Sequence, residues 1–214
     1  MVIPVRLYNG SEVQNLTLSE FEHLMGVSYT SQLQFATPAT EEKIFQLCAE
    51  ADQKKWIDPR QKWLGSYYSQ EIAGKHHNPS ITIAWIDSTF GYGVFTNRAI
   101  SRHAFIGEYT GIVRKRHLFG RWKNAYCFDY TIGFGRKTPY VIDAKAQGNF
   151  TRYINHSDHP NLETASVLCK GMMHLIFYAI VDIPEGAQLT CDYGAKYWKG
   201  REPPLPNSEL LRGS

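Results

Sequence analysis

The sequence has few cysteines, and they are scattered. Four cysteines stand singly among 214 residues, without C-x-x-C or C-x-C spacing. This distribution predicts neither a local zinc cluster nor a disulfide framework, and it fits a reducing compartment best. The eight histidines show no ligand spacing with the cysteines or carboxylates, so no metal site is expected.

Long apolar runs are also missing. The longest, such as residues 175–181, fall far short of the roughly 20 residues that span a bilayer, so neither a transmembrane segment nor a membrane partner is expected. The start of the chain has no basic, apolar leader, and a classical secretion signal is therefore not predicted. A dinucleotide-binding fold is excluded because Gly91-Tyr-Gly93 runs into Val94-Phe95 without the third glycine that this fold requires.

The composition is that of a folded chain. Hydrophobic residues make up 43% and charged residues 20%, which excludes disorder of the whole chain. The formal charge of +3 hides one concentrated basic stretch, residues 114–123, which includes Phe119 and Trp122. Two interpretations of this stretch stay open: a patch for nucleic acid or another acidic partner, or a solvated loop.

Capping residues followed by apolar periodicity predict helices in the first part of the chain. The three predicted helix starts are at Thr17, Thr37 and Asp58. We expect the third helix to run toward Gly74. A helical N-terminal region is therefore predicted over residues 1–75.

The second part of the chain has the pattern of a β protein. Short β-branched and aromatic runs are cut by glycines, too many and too short to alternate with helices in a parallel sheet. The predicted strands cover residues 81–86, 92–96, 105–113, 126–132, 140–142, 175–181 and 188–191. The predicted fold class is mainly β with a helical N-terminal extension, an α+β arrangement.

Three polar motifs interrupt these strands. In chain order they are Gly91-Tyr-Gly-Val94, Arg152-Tyr-Ile-Asn-His-Ser157 running on to Pro160-Asn161, and Leu189-Thr-Cys-Asp-Tyr-Gly194. Together with Gly107-Glu-Tyr-Thr-Gly111 and Tyr126-Cys-Phe-Asp129, their order and spacing closely resemble SET-domain protein lysine methyltransferases. The resemblance covers about residues 80–198.

This resemblance implies a fold of small curved sheets with a C-terminal pseudoknot, in which the Asp-Tyr segment passes beneath the Asn-His-Ser segment. A pocket for S-adenosylmethionine would lie on one face and a peptide groove on the other, joined by a narrow lysine channel. The implied organisation is a helical region over residues 1–75, a catalytic SET domain over 76–195, and a tail over 196–214 that closes the site.

Two tyrosines match the family's catalytic positions. By resemblance, Tyr193 places its hydroxyl and ring near the reacting methyl group, and Tyr126 hydrogen-bonds the lysine nitrogen. Burial of the lysine in an apolar channel disfavours its charged form, which lowers its pKa and frees the lone pair for methyl transfer. Asp192 is assigned to structure.

The residues implied in binding S-adenosylmethionine come from all three motifs and from the tail. They are Gly91, Tyr92, Gly93, Arg152, Asn155, His156 and Trp198. Glycine at 91 and 93 lets the backbone approach the cofactor closely. Arg152 either contacts the cofactor or braces the pseudoknot. Trp198 either closes the site, by stacking on adenine or by capping the lysine channel, or packs in the core.

Cys191 stands at the position that in this family tunes the number of methyl groups added. A small cysteine predicts a roomy site that reaches di- or trimethyllysine, unless another tyrosine such as Tyr178 fills the gap. The cysteine-rich zinc clusters that flank many nuclear SET domains are missing. A zinc-free chain of this kind resembles the compact SET proteins of obligate intracellular bacteria, whose substrates are histones and bacterial histone-like proteins.

The expected partners are a basic protein substrate and, through residues 114–123, indirect contact with nucleic acid. Three roles stay open for the N-terminal helices: packing on the core, presenting the substrate, or forming a homodimer. The expected location is the bacterial cytoplasm, or a host cell and its nucleus, and a role in chromatin regulation follows from histone substrates. Two rival hypotheses remain: a non-catalytic SET-like binder of basic tails or chromatin, and a methyltransferase for a non-histone protein.

Overall fold

The computed structural model of the chain describes residues 1–8, 10–74, 80–116, 124–133 and 136–198. The helices in these ranges are α1 (Leu18–Met25), α2 (Pro38–Gln53), α3 (Pro59–Tyr67), α4 (Ser69–Ala73) and α5 (Ala195–Trp198), with a 3₁₀ turn over Phe150–Tyr153. The strands are β1 (Val2–Arg6), β2 (Gln14–Thr17), β3 (Ser28–Tyr29), β4 (Gln34–Phe35), β5 (Ile81–Asp87), β6 (Gly91–Thr96), β7 (Phe105–Glu108), β8 (Ile112–Lys115), β9 (Cys127–Ile132), β10 (Arg136–Asp143), β11 (Gln147–Gly148), β12 (Asn155–His156), β13 (Leu162–Cys169), β14 (Met172–Ala179) and β15 (Gln188–Cys191). The prediction of a mainly β chain with N-terminal helices is confirmed.

The predicted helices begin at their capping residues. The Thr17 side chain accepts from the Glu20 backbone N–H in a capping box, and Asp58 forms a second capping box with Gln61. The third helix differs from its prediction, because it breaks at Tyr68 into α3 and α4. Tyr68 is buried and its hydroxyl donates to the backbone oxygen of His103 at 2.7 Å, so this residue is fixed by a tertiary contact instead of continuing the helix.

The prediction that residues 1–75 are helical is only partly right, because β1 to β4 also lie there. β1 pairs in parallel with β5, β3 with β11 and β4 with β8. Pro4 within β1 argues against a strand in local analysis. Pairing with distant strands overrides that local preference, so the N-terminal region shares its sheets with the rest of the chain.

Most strands form one large sheet, whose order is β2-β1-β5-β6-β15-β13-β14-β7. A second sheet has the order β4-β8-β10-β9. The predicted strand over 105–113 is two strands that belong to different sheets. The chain turns between them at Gly111, where a Cβ would lie 2.6 Å from the backbone oxygen of Asp143.

The C-terminal strand lies beside the Asn-His-Ser segment, as the predicted pseudoknot requires. β12 pairs in parallel with β15, so that His156 faces Cys191. The Asn161 side chain fixes the same strand twice: its amide donates to the Gln188 backbone oxygen at 2.7 Å, and its oxygen accepts from the Thr190 backbone N–H at 2.9 Å. These contacts join segments that are about thirty residues apart in the chain.

Much of the basic stretch 114–123 lies outside the described residues, which stop at 116 and resume at 124. Within its described part, Arg114 is paired with Asp143 and Arg116 with Asp129, inside the second sheet. These two arginines therefore serve sheet structure. No helix in the described ranges is long and apolar enough to cross a membrane.

Candidate functional site

Tyr193 is held at both its backbone and its side chain. Its hydroxyl donates to the backbone oxygen of Ile154 at 2.7 Å, and its backbone N–H donates to the Nδ1 atom of His156 at 3.1 Å. Asp192 accepts from the Gly194 backbone N–H at 2.7 Å and so shapes the turn, the structural role predicted for it. The ring of Tyr193 is therefore fixed where β15 meets the Asn-His-Ser segment.

Desolvation raises the pKa of Tyr193 well above its ordinary value, and the neighbouring Cys191, Tyr197 and Tyr126 raise it further. A phenol with a raised pKa stays protonated at neutral pH. Its hydroxyl is thus a hydrogen-bond donor and not a general base.

Asn155 and His156 join the first motif to the last. The Asn155 side-chain amide donates to the backbone oxygen of Tyr92 at 3.1 Å. His156 accepts the Tyr193 N–H at Nδ1, which leaves its proton on Nε2, 3.3 Å from the Asp158 carboxylate. The predicted cofactor-binding segments are therefore in direct contact.

The two glycines of the first motif have different reasons to be glycine. Gly91 has a φ of +69° and open space around its Cβ direction. A Cβ on Gly93 would lie 2.7 Å from both the Gln188 and the Ile86 side chains. A side chain at position 93 would therefore displace the ends of these two flexible side chains, whereas Gly91 leaves space for another group.

Trp198 covers the Asn-His-Ser segment from α5. Its ring lies edge-on to His156 with centroids 4.8 Å apart, and nearly parallel to Tyr193 at 6.2 Å and 18°. Its Nε1 atom is buried and has no hydrogen-bond partner in the part of the chain that the structure describes. The tail thus comes to the site through Trp198, and the remaining tail residues, 199–214, lie outside the described ranges.

Tyr126 lies directly before β9 and is fixed by its backbone. Its N–H donates to the Asn124 side-chain oxygen at 2.9 Å, and its backbone oxygen accepts from the Tyr109 hydroxyl at 2.8 Å. The guanidinium carbon of Arg152 lies 4.0 Å from the centre of its ring. Among the described residues, these contacts hold the backbone and the ring of Tyr126, and none of them involves its hydroxyl.

Of the two roles predicted for Arg152, contact with the cofactor stays a prediction, and bracing of the pseudoknot differs from the contacts that the side chain makes. Its Nε donates to the Ala144 backbone oxygen at 2.9 Å, and its guanidinium stacks on the rings of Tyr126 and Tyr153. The partners are the turn after β10 and two tyrosines, not the pseudoknot itself. Arg152 therefore positions Tyr126.

Tyr109 and Tyr153 are the site residues that the sequence analysis missed. Tyr109 packs between Phe128 and Phe177 and holds the Tyr126 backbone. The Tyr153 ring contacts Tyr92, and its buried hydroxyl lacks a hydrogen-bond partner within the described residues. Both lie inside motifs that the sequence analysis quoted, so their position in the motif was the available clue.

Cys191 and Tyr178 are not brought together. Cys191 is buried in the main core, and desolvation raises the pKa of its thiol to about 12, which keeps the thiol neutral. Cys191 and Ala179 both pair with Leu162, so the side chains of these three residues lie on the same face of the sheet. Side chains alternate between the two faces along a strand, so Tyr178, next to Ala179, points to the other face. There it packs on Tyr68 and accepts from Arg60 at 2.7 Å.

The suggestion that Tyr178 fills the space beside Cys191 therefore needs correction. Tyr178 belongs to a separate cluster between the helices α3 and α4 and the strands β13 and β14. Its register on β14 decides this placement, and a single sequence does not reveal register.

A half-buried network holds the Tyr126 backbone in place. Asp143 accepts from the Arg114 guanidinium at 2.6 Å and from the Asn124 side chain at 2.6 Å, and Asn124 in turn binds the Tyr126 N–H. Burial alone raises the pKa of Asp143, but hydrogen bonds from the Lys145 backbone, Arg114 and Asn124 outweigh it and hold the pKa below its usual value. Asp143 is thus an anion that organises the loop before β9.

Asp143→Asn is expected to lower the free energy of unfolding by about 2 kcal/mol at pH 7, because charged hydrogen bonds become neutral ones. The folded-state pKa is depressed, so the carboxylate stabilises the fold above the ordinary Asp pKa of about 3.9 and loses that effect as pH falls below it. Urea unfolding of wild type and variant between pH 7 and pH 3 measures this. The difference should shrink in acid; a difference that stays constant with pH would contradict the role given to Asp143.

In the described ranges, no group of three or more His, Cys, Asp and Glu side chains is placed to hold a metal ion. The described residues of the site offer aromatic rings, hydroxyls, backbone carbonyls, one imidazole, the Asn155 amide and the carboxylates of Asp158 and Asp192.

Comparison with known proteins identifies the three motif segments as one domain. Residues 91–194 match the family model described as SET domain. Histone-lysine N-methyltransferase Set2 of Drosophila melanogaster is 33% identical over 110 residues, which are 48% of this chain and 5% of that protein. Histone-lysine N-methyltransferase Set8 of the same organism is 36% identical over 112 residues, 49% of this chain and 16% of that protein. Histone-lysine N-methyltransferase SUVR5 of Arabidopsis thaliana is 33% identical over 124 residues, 50% of this chain and 9% of that protein.

Two solved structures are similar as well. Arabidopsis thaliana SUVH6 in complex with SAM shares 28% identity, with a TM-score of 0.46 over 53% of this chain and 27% of that one. KRYPTONITE in complex with mCHG DNA and SAH shares 26% identity, with a TM-score of 0.47 over 57% of this chain and 25% of that one. In each of these comparisons the match spans about half of this chain and a small part of its relative.

Proposed function

The chain carries a SET domain over residues 91–194, and from this premise we propose that it transfers methyl groups from S-adenosylmethionine to lysine side chains of a basic protein. The observation that carries the proposal is the fixed Tyr193, bound through its hydroxyl to Ile154 and through its backbone to His156. Several relatives that match this part of the chain are named histone-lysine N-methyltransferases.

The residues present fit a cofactor with polar and aromatic parts. Trp198 Nε1 and the Tyr153 hydroxyl are buried donors whose partner is missing among the described residues, and each borders a predicted cofactor-binding segment. Buried donors of this kind normally have a partner, so a bound molecule with acceptor groups would satisfy them. The residues that would hold S-adenosylmethionine are Gly91, Tyr92, Gly93, Asn155, His156 and Trp198.

The bound cofactor supplies a methyl group on a sulfonium for in-line displacement by an amine. The protein contributes position and surroundings. Tyr126 is fixed by hydrogen bonds to its backbone, and Tyr193 by hydrogen bonds from its backbone and its hydroxyl, so their rings and hydroxyls can direct a lysine nitrogen. Fixed orientation of two reactants supplies a large part of such a rate acceleration.

The lysine must be neutral when it reacts. Because the pKa of Tyr193 is raised, this hydroxyl does not accept the proton at neutral pH. Removing the ammonium group from water among aromatic rings lowers the lysine pKa instead, and the proton leaves to solvent before transfer. The chain therefore selects the neutral amine by desolvation.

The proposed substrates are histones or bacterial histone-like proteins. Two exposed carboxylates, Asp158 and Asp192, flank His156 at the site, with 74% and 66% of their side chains exposed. Carboxylates at a rim attract chains rich in lysine and arginine and raise the rate of encounter. Basic tails fit this rim better than acidic or neutral ones.

The product is predicted to go beyond monomethyllysine. Cys191 is small and its neutral thiol is a weak hydrogen-bond partner, and Tyr178 points away from it. Mass spectrometry of the substrate after prolonged reaction should therefore show di- or trimethyllysine. A product that stays monomethylated at long times would contradict this prediction.

Trp198→Ala is expected to weaken S-adenosylmethionine binding by about tenfold, because an aromatic contact worth roughly 1–1.5 kcal/mol is lost from the pocket. Calorimetric titration measures the change. Trp63→Ala is the matched control, since Trp63 is 61% exposed on α3 and stacks on Tyr67 of the same helix. Equal affinities for wild type and Trp198→Ala would remove Trp198 from the cofactor site.

The proposed function is tested by incubating the chain with labelled S-adenosylmethionine and a panel of core histones and bacterial histone-like proteins. Label in a basic protein supports the enzyme. Cofactor binding without transfer to any member of the panel points to a non-histone substrate. Absence of both binding and transfer overturns the proposal in favour of a SET-like binder that does not catalyse.

A further inference from the structure

A cavity of about 500 Å³ lies outside the site described above, between the N-terminal helices and the edge of the large sheet. It is lined by α2 and β4 on one side, by the end of α4 on another, and by Glu108 and His174 from the sheet. None of Tyr126, Cys191 and Tyr193 lines it. The cavity therefore belongs to neither the lysine channel nor the cofactor segments.

The two sites lie on opposite faces of the same strands. Phe177 on β14 packs with Tyr109 in the main core, behind Tyr126. His174 differs from Phe177 by an odd number of positions along β14, so the alternation of side chains turns it to the other face. Glu108, next to Tyr109, points the same way as His174 and pairs with it.

A buried carboxylate forms part of this cavity. Glu108 is 7% exposed, and its Oε1 atom lies 2.6 Å from His174 Nδ1. In the described part of the chain, His174 is the only side chain that hydrogen-bonds this carboxylate. A carboxylate only accepts hydrogen bonds, so the imidazole donates from Nδ1, and the carboxylate keeps acceptor capacity for a second donor. A carboxylate in the wall of a cavity attracts a cation beside it.

The walls of the cavity suit a cation on an apolar stem. Phe35, Phe45 and Met172 supply apolar and aromatic surface, and Phe45 stays 41% exposed on a helix whose other face is buried. Glu41 adds a second carboxylate. Lys170, held at a φ of +48° in the turn between β13 and β14, is the single lysine or arginine among the described residues of the lining. Aromatic faces and carboxylates together attract ammonium and guanidinium groups.

We propose that this cavity binds an alkyl guanidinium or ammonium cation, the side chain of an arginine or lysine, with the charge on Glu108 and the stem between Phe35 and Phe45. The cation chemistry follows from the cavity alone. Only its source, a second basic residue of the protein substrate, rests on the proposed function. The cavity would then anchor the substrate at a distance from the lysine that is methylated.

The test titrates the full chain with n-butylguanidinium, without cofactor or protein substrate, and follows backbone amide shifts by NMR. We expect shifts centred on Glu108, His174 and Met172, and Glu108→Gln should weaken binding by about tenfold, as expected when a charged hydrogen bond is lost. Glu41→Gln changes an exposed carboxylate and leaves the Glu108–His174 pair intact. This second variant should weaken binding of n-butylguanidinium to a smaller extent.

Lys170→Ala separates a cation from an anion. A cation should bind equally or more tightly once this lysine is removed, whereas butyrate, the matched anion, should not bind either form. The proposal is overturned if n-butylguanidinium causes no shifts, if its shifts centre on Tyr126 and Tyr193, or if butyrate binds and Lys170→Ala abolishes that binding.

A second arm identifies the source. A peptide with one arginine and one lysine is compared with the same peptide carrying citrulline in place of the arginine. Anchoring of the substrate is supported if citrulline weakens binding to the wild-type chain but not to Glu108→Gln. Equal affinities of the two peptides for the wild-type chain mean that the cavity takes a free cation only, and the anchoring part of the proposal fails. Neither measurement involves methyl transfer, so the result of each is independent of whether the chain is an active methyltransferase.

Discussion

Tyr193→Phe should reduce the rate of methyl transfer by about 10² or more while leaving cofactor affinity nearly unchanged. The variant removes one hydroxyl that donates to the Ile154 backbone oxygen at 2.7 Å and that orients the ring at the site. Loss of a single orienting polar group at a reacting centre commonly costs about this factor. Steady-state rates with labelled cofactor, combined with calorimetric titration, separate the effect on transfer from the effect on binding.

Tyr130→Phe is the matched control for this experiment. The Tyr130 hydroxyl is buried and donates to the Met173 backbone oxygen at 2.8 Å, so the control loses the same kind of hydrogen bond away from the site. Both variants should lose about 1 kcal/mol of unfolding free energy. Only Tyr193→Phe should lose activity. Equal rates for the two variants would show that the Tyr193 hydroxyl serves stability alone.

Gly65→Ala should destabilise the fold by about 3 kcal/mol or more. Helix α3 packs on β13 at Gly65, where an added Cβ would lie 1.9 Å from the Leu168 backbone oxygen. Backbone cannot yield as a flexible side chain does, so the helix must move away from the sheet. For a chain of this size, the midpoint of thermal unfolding should fall by roughly 10 °C.

The control for this prediction is Ser66→Ala, one residue further along the same helix. Ser66 is exposed, and alanine is at least as good a helix former, so this variant should unfold at nearly the wild-type temperature. If Gly65→Ala unfolds at that temperature too, α3 does not pack on β13 as described. A large loss of stability would make the N-terminal helices part of the same cooperative fold as the SET domain.

Local features predicted the parts of the fold that local physics controls. Thr17 and Asp58 cap helices because their side chains bond backbone two or three residues away, and no tertiary contact is needed. The strands around Gly91 and Leu189 can also be predicted from the sequence, because β-branched residues and bounding glycines mark them. Contact between the motifs that contain Asn155 and Tyr193 followed from the family resemblance, and the structure confirms that these segments meet.

Features that depend on pairing between distant segments could not be predicted. β1 contains Pro4 and forms a strand because β5 lies beside it. Tyr178 turns away from Cys191 because of the register of β14 against β13, which no local pattern records. Glu108 and His174 are 66 residues apart, and only the folded sheet brings them together.

The assignment of Arg152 illustrates the same limit. A cation in a cofactor motif is equally compatible with binding a ligand and with stacking on neighbouring rings. The distances to Ala144 and Tyr126 show stacking in this chain, and contact of Arg152 with the cofactor stays a prediction. Side-chain roles within a motif therefore need geometry, even where the motif itself is recognised.

The measurement that tests the central claim most directly is fragmentation mass spectrometry of histones and bacterial histone-like proteins after incubation with the chain and S-adenosylmethionine. The account predicts methyl groups on lysine side chains of a basic protein, with dimethyl- or trimethyllysine accumulating over time. It also predicts their loss in the Tyr193→Phe reaction. Methylation that persists undiminished in Tyr193→Phe, or methyl groups found on residues other than lysine, would contradict it.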